Sequence, residues 1–176
     1  MKYVAVIVAA MVLGLAGCTK PPAEEYAKKA EEAEKGGVWS VALENYQNLV
    51  RDHPASPLAE IAMFNIATIQ NNSLRNFDAA VSQYKSFITT YPQSKKAATA
   101  TFLIAFLYNN DLKNLDSARV YYQMFLSRYP TNEMASSAQF ELNNLGKSPD
   151  EFVPKPTVAD VKPEAPTRKT SKPKKP

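Results

Sequence analysis

The chain has 176 residues and a formal net charge of +4, with 45% hydrophobic and 22% charged residues, the balance of one globular domain with tails. One cysteine and one histidine exclude an intrachain disulfide framework and a Cys/His zinc site, so no metal is expected. Five glycines against thirteen prolines, with many Ala, Tyr, Phe, Asn and Gln, point to helices and away from a turn-rich β fold.

The first residues read as a targeting signal. Lys2 is followed by an apolar run from Tyr3 to Ala16, too short for a membrane-spanning helix. The run ends in Leu15-Ala16-Gly17-Cys18, which resembles a lipobox. That resemblance implies a signal peptide over 1–17, cleavage before Cys18, acylation of its thiol, and a lipidated linker over 18–22. Two or three acyl chains anchor firmly, because each buried methylene contributes about 0.8 kcal/mol. Position 19 is Thr and not Asp, which in enteric lipoproteins implies the outer membrane, at its periplasmic face. The covalent lipid on Cys18 is the only non-protein group expected; no cofactor is.

Further along, Pro54, Pro92 and Pro130 are spaced by 38 residues, and the residues before them align without gaps. Trp39, Phe77 and Leu115 lead each set and read as core. Ala42, Ala80 and Ala118 follow, then Tyr46, Tyr84 and Tyr122. Leu49, Phe87 and Phe125 come next, and His53, Tyr91 and Tyr129 stand before the prolines. Steps of three and four put these positions on one helical face. The alanines allow close approach of another helix, and each proline stops its own. Ser56, Ser94 and Asn132, two residues past the prolines, are placed to start the next helix.

A second set aligns between the prolines and the next unit. Ala59, Ala97 and Ala135, then Ala62, Ala100 and Ala138, then Phe64, Phe102 and Phe140, share the same spacing. Each unit thus reads as an alanine-rich helix A, a polar loop and an aromatic-rich helix B. Asn71-Asn72-Ser73, Asn109-Asn110-Asp111 and Gly36-Gly37 are the expected loops. A last helix A, Asn132 to Leu145, has no B partner; it reads as a cap with Ser136, Ser137, Gln139 and Asn143 outward and Gly146 at its C-terminal end.

The helix-B pattern Phe77-Asp78-Ala79-Ala80, Tyr84, Tyr91-Pro92 resembles the tetratricopeptide family, with units four residues longer than its usual 34. About one extra residue falls in the A–B loop and three after the proline. In these variations the chain is similar to the lipoprotein subunit of the outer-membrane β-barrel assembly machinery and to the periplasmic Tol-Pal coordinator. The resemblance implies an all-α tetratricopeptide-repeat solenoid over 23–146, three helix pairs plus a capping helix. It also implies peptide or partner-helix binding along the A helices. Matched to the family pattern, the candidate partner-binding residues are Thr68, Asn71 and Asn72 in one unit and Phe106, Asn109 and Asn110 in the next. Paired asparagines can donate to and accept from a partner's backbone; they can equally well end helices and form turns.

After Pro149 the composition changes, and a Pro/Lys-rich disordered tail is expected over 147–176. Residues 154–176 hold six prolines and seven Lys or Arg against two acids, with no aromatic residue, and read as a disordered tail. The tail carries +5, whereas residues 19–153, with thirteen basic and fifteen acidic side chains, carry −2. An anionic cell-wall or lipid surface is the tail's candidate partner, with a solubilising spacer as the plain alternative. Nucleic acid is excluded by an envelope compartment. His53 aligns with two tyrosines and reads as repeat packing, not catalysis. The acids and lysines between Glu24 and Lys35 read as an exposed ion-paired face. No phosphate loop or nucleophile motif is present, so the expectation is a non-enzymatic scaffold that binds envelope proteins. It is an adaptor in outer-membrane protein assembly or, alternatively, a tether between outer membrane and cell wall or a division coordinator.

Overall fold

A computed structural model of the chain describes residues 20–147. The signal segment, Cys18 and the tail beyond Lys147 lie outside the described residues. Seven α-helices run in order: α1 Ala23–Lys35, α2 Trp39–Asp52, α3 Pro57–Thr68, α4 Phe77–Thr90, α5 Ala97–Asn110, α6 Leu115–Arg128 and α7 Ala135–Asn143. Each packs on the next, and α1 also meets α3. Helices α1, α3, α5 and α7 are the A helices; α2, α4 and α6 are the B helices. The described part is an all-α tetratricopeptide helical solenoid. None of its helices is long and apolar enough to cross a membrane.

The repeated residues occupy repeated places. Ala42, Ala80 and Ala118 are wholly buried, as are Ala62, Ala100 and Ala138. Tyr46, Tyr84, Tyr122, Leu49, Phe87 and Phe125 are the large side chains sealed inside. Phe64 meets the rings of Tyr84 and Phe87 edge-on at 5.6 and 5.3 Å, and Phe102 meets Tyr122 and Phe125 at 5.8 Å each. These offset contacts suit the ring quadrupoles. Helices α3 and α5 therefore each wedge an aromatic ring between two aromatic positions of their own B helix.

Helix ends are also built in copies. After each proline the side chain of Ser56, Ser94 or Asn132 accepts from the backbone two residues on, at 3.2, 3.0 and 2.9 Å. The helices then begin at Pro57, Ala97 and Ala135, so the last one is shorter than the Asn132–Leu145 span read from sequence. The first residues there are spent on the turn. Asn76 and Asn114 cap α4 and α6 by accepting from Ala79 and Ser117 at 3.3 and 3.0 Å. The residue before each B-helix cap is left-handed in all three units: Gly37 at φ 70°, Arg75 at 51° and Lys113 at 54°. Only the first unit uses the residue type that takes this conformation without steric cost.

The expected asparagine loops are not loops. Ile69–Ser73 continues α3 as one π turn, and Asn109-Asn110 finishes α5. Leu74 and Leu112 each donate to the carbonyl five residues back, at 3.0 and 2.9 Å. Asn76 and Asn114 reach six back, at 2.8 Å each. In the first unit Val38 donates five back to Ala33 and Gly37 three back to Glu34, a tighter Schellman closure. One inserted residue accounts for the difference. A helix absorbs such an insertion as a wide turn when every amide can still find a carbonyl.

Two further expectations need correction. Trp39 and Phe77 are only half-buried, and Leu115 is 37% exposed. As first residues of their helices they lie at the rim of the B layer, so they flank the core. The capping helix α7 is not polar along its whole outer side, because Phe140 is 56% exposed. Its equivalents Phe64 and Phe102 are covered by a following B helix, and α7 is followed by none among the described residues.

Candidate partner-binding surface

The A helices set the surface on which a partner could lie. One polar network of these helices faces inward. Tyr46 donates to the Glu34 carboxylate at 2.9 Å and accepts from Asn65 at 3.0 Å. This network joins α1, α2 and α3. Burial, with Glu34 beside it and the Asn65 amide opposing, pushes the Tyr46 phenol up to about 12. Glu34 was grouped with the exposed acids by sequence; of that group, Glu25–Lys29 at 2.7 Å and Glu32–Lys28 at 3.9 Å are the surface pairs.

The candidate residues divide into two sets. Thr68 donates to the Phe64 carbonyl at 3.1 Å and lies 3.4 Å from the Tyr84 hydroxyl. Asn71, half-buried in the π turn, also faces that hydroxyl. Asn109 donates to Glu141 of α7 at 3.3 Å and lies beside Tyr122. These three hold the array together. Asn72 and Asn110 are exposed, and Asn110 only returns its amide to the Phe106 carbonyl at 3.1 Å. Phe106 is 38% exposed and stacks on Phe102 at 6.3 Å and 20°. Ile61, which the sequence did not single out, adds a 45% exposed apolar face on α3. The accessible strip is therefore Ile61, Asn72, Phe106 and Asn110: apolar contact beside exposed amide side chains.

The second and third buried tyrosines differ from the first. Burial raises the Tyr84 phenol, and the hydroxyl has only the long Thr68 contact within hydrogen-bond distance. Burial raises Tyr122 as well, with Glu141 adding to it and the nearby Asn109 amide opposing, and among the described residues its hydroxyl has no partner within hydrogen-bond distance.

The N-terminal end of the array is pinned. Asp52, its side chain 3% exposed, takes hydrogen bonds from Arg51 at 2.9 Å and Tyr26 at 3.0 Å, and pairs with Lys20 at 3.0 Å. The Arg51 and Lys20 contacts hold its carboxyl well below the usual range. His53 donates from Nε2 to the Pro21 carbonyl at 2.7 Å, and its ring lies 6.1 Å from that of Tyr26. His53 thus closes the first unit, where Tyr91 and Tyr129 close the others against Phe87 and Phe125. The expected linker over 18–22 is fastened from Lys20 onward, which composition alone did not signal.

Comparison with known proteins agrees with this geometry. The tetratricopeptide repeat model matches residues 61–94 and 99–132, together less than half of the chain. The two stretches correspond to α3 with α4 and α5 with α6; the α1–α2 pair is not matched. No curated protein matches in sequence. Among solved structures, the Arabidopsis OM64 TPR domain is similar with a TM-score of 0.52 at 21% identity, over 69% of this chain and 93% of that one. At that identity the likeness concerns the fold. The chain contains tetratricopeptide repeats and folds as an all-α tetratricopeptide helical solenoid.

Proposed function

We propose that this chain is a non-enzymatic, lipid-anchored scaffold of the bacterial cell envelope. Acylation of Cys18 holds it at the periplasmic face of the outer membrane. Its A helices bind segments of envelope proteins there, in the service of outer-membrane protein assembly. The observation that carries protein binding is the uncovered strip of Ile61, Asn72, Phe106 and Asn110 on successive A helices. The envelope part rests on the Leu15-Ala16-Gly17-Cys18 motif after an apolar run.

A photo-crosslinking residue at Phe106 tests this reading in membranes. Adducts with β-barrel assembly subunits are expected from that position and not from Val120, which is 55% exposed on α6. Equal labelling from both positions would remove the A-helix strip from the mechanism. The +5 tail favours a second reading, a tether to the anionic cell wall. Deleting residues 154–176 then abolishes salt-sensitive co-sedimentation with purified wall and leaves the Phe106 adducts intact.

A further inference from the structure

The B-helix side carries a feature that the repeat does not require. Between α4 and α6 lies a cavity of about 540 Å³, lined by Lys85, Ile88, Thr89, Pro92, Tyr121, Met124 and Arg128. That volume is in the range of ligand pockets. Ile88, Tyr121 and Met124 are half-buried and form an apolar lining, while Arg128 is exposed. Lys85 is held in place. Its ammonium donates to the Tyr108 hydroxyl at 2.7 Å and faces the rings of Tyr108 and Tyr121 at 5.0 and 5.3 Å. Neither Lys85 nor Arg128 forms an ion pair with an acid among the described residues.

Repeat arithmetic separates packing from anything added to it. Residues that a stacked repeat needs recur every 38 positions, as Ala42, Ala80 and Ala118 do. In the groove Pro92 recurs as Pro54 and Ile88 as the apolar Val50, whereas the two cations and the aromatic and thioether side chains do not recur. One unit earlier, Lys85 and Arg128 correspond to Gln47 and Thr90, Tyr121 and Met124 to Gln83 and Ser86, and Tyr108 to Gln70. At those five places the earlier junction has neutral polar side chains, although Arg51 stands there at the place of Thr89 and is paired with Asp52. Arg128 in the last turn of α6 is explained by the helix dipole alone. Lys85, midway along α4 and between two aromatic rings, is not.

We infer that the α4–α6 groove is a second docking site, for a segment of a partner protein that carries a carboxylate beside an apolar side chain. Two unpaired cations complement one carboxylate, and the recessed Ile88, Tyr121 and Met124 accept the neighbouring side chain. The Lys85 ammonium is partly desolvated and is oriented by its aromatic contacts, which lowers the ordering cost of binding. A lipid surface would need apolar groups that project; here they line a cavity.

The test is selection of a phage-displayed random dodecapeptide library on the full-length chain in detergent. Retained peptides are expected to share an Asp or Glu next to an apolar residue. Their affinity should fall about tenfold in Lys85→Gln and again in Arg128→Gln, the loss of a charge-assisted hydrogen bond in each. Arg128 is exposed, so its variant keeps the fold, and an unchanged circular dichroism melt confirms that for both. Selected peptides without acid enrichment would overturn the proposal, as would binding indifferent to both substitutions. Charge-dependent binding to phosphatidylglycerol vesicles with no peptide selected would overturn it in favour of a lipid phosphate.

Discussion

Tyr46, Tyr84 and Tyr122 stand at one repeat position with the same burial, and only their hydroxyl surroundings differ. Removing that oxygen gives three different expected results. In Tyr122→Phe the lost group is a buried hydroxyl without a partner, which costs about 1–3 kcal/mol to keep dry. The ring still fills the space, so the cavity penalty is small, and a gain of about 1 kcal/mol is expected. In Tyr46→Phe the Glu34 carboxylate and the Asn65 amide both lose their partner, so a loss of about 2–3 kcal/mol is expected. Tyr84→Phe gives up the 3.4 Å Thr68 contact and the facing Asn71 amide, and should fall between them. Urea unfolding of the three variants and the parent, compared at constant slope, reads these differences directly. Repeat arrays can unfold by units, so the whole-chain circular dichroism should be set beside the fluorescence of Trp39, the sole tryptophan, which reports the first unit. The reasoning fails if Tyr122→Phe is destabilised as much as Tyr46→Phe, for then the Tyr122 hydroxyl has a partner after all.

Lys113→Gly should stabilise the chain by about 0.5–1 kcal/mol, because Lys113 is left-handed at φ 54°. Arg75→Gly should gain less, since the Arg75 guanidinium lies 5.0 Å over the Phe77 ring; thermal melts of both variants check the order. Asp52 has a depressed folded pKa, so its stabilising effect is present above the ordinary carboxylate pKa near 4 and is lost as pH falls below it. The melting temperature of the parent should therefore drop more steeply with acid than that of Asp52→Asn, and parallel curves would refute the clamp. The buried tyrosines have raised pKa values, so their contribution holds below about pH 10 and fades as pH rises toward 12. Ultraviolet titration should then show tyrosinate appearing together with unfolding, not ahead of it. Cys18→Ser should abolish incorporation of labelled palmitate; equal labelling of parent and variant would remove the proposed anchor.

The packing was legible because it is periodic. An alanine at 42, 80 and 118 and a large ring four residues on can only repeat at 38 if successive helix pairs bury the same face. What escaped the sequence is what differs between units or depends on a neighbouring one. The π turn at Ile69–Ser73 comes from where backbone amides find carbonyls, and Asn71-Asn72-Ser73 has the composition of an ordinary turn. Arg75 and Lys113 gave no sign of a left-handed backbone, because only glycine advertises it. Of the candidate strip, Thr68, Asn71 and Asn109 proved to be held by Tyr84, Glu141 or the helix itself, partners 13 to 32 residues away in sequence or set by local geometry. Lys85 was visible in principle as the one cation that breaks a run of glutamines at 47 and 123.

The fastening of Lys20 and Pro21 to the end of α2 has a geometric consequence for a chain anchored as proposed. Cys18 and Lys20 are two residues apart, a reach of at most about 7 Å. A lipid on Cys18 would leave the array no leash on which to tumble. The Asp52–His53 corner would be held close to the head groups. Partners bound along the A helices would then be delivered in one orientation relative to the membrane. Cutting both the Lys20–Asp52 pair and the His53–Pro21 hydrogen bond would lengthen the leash.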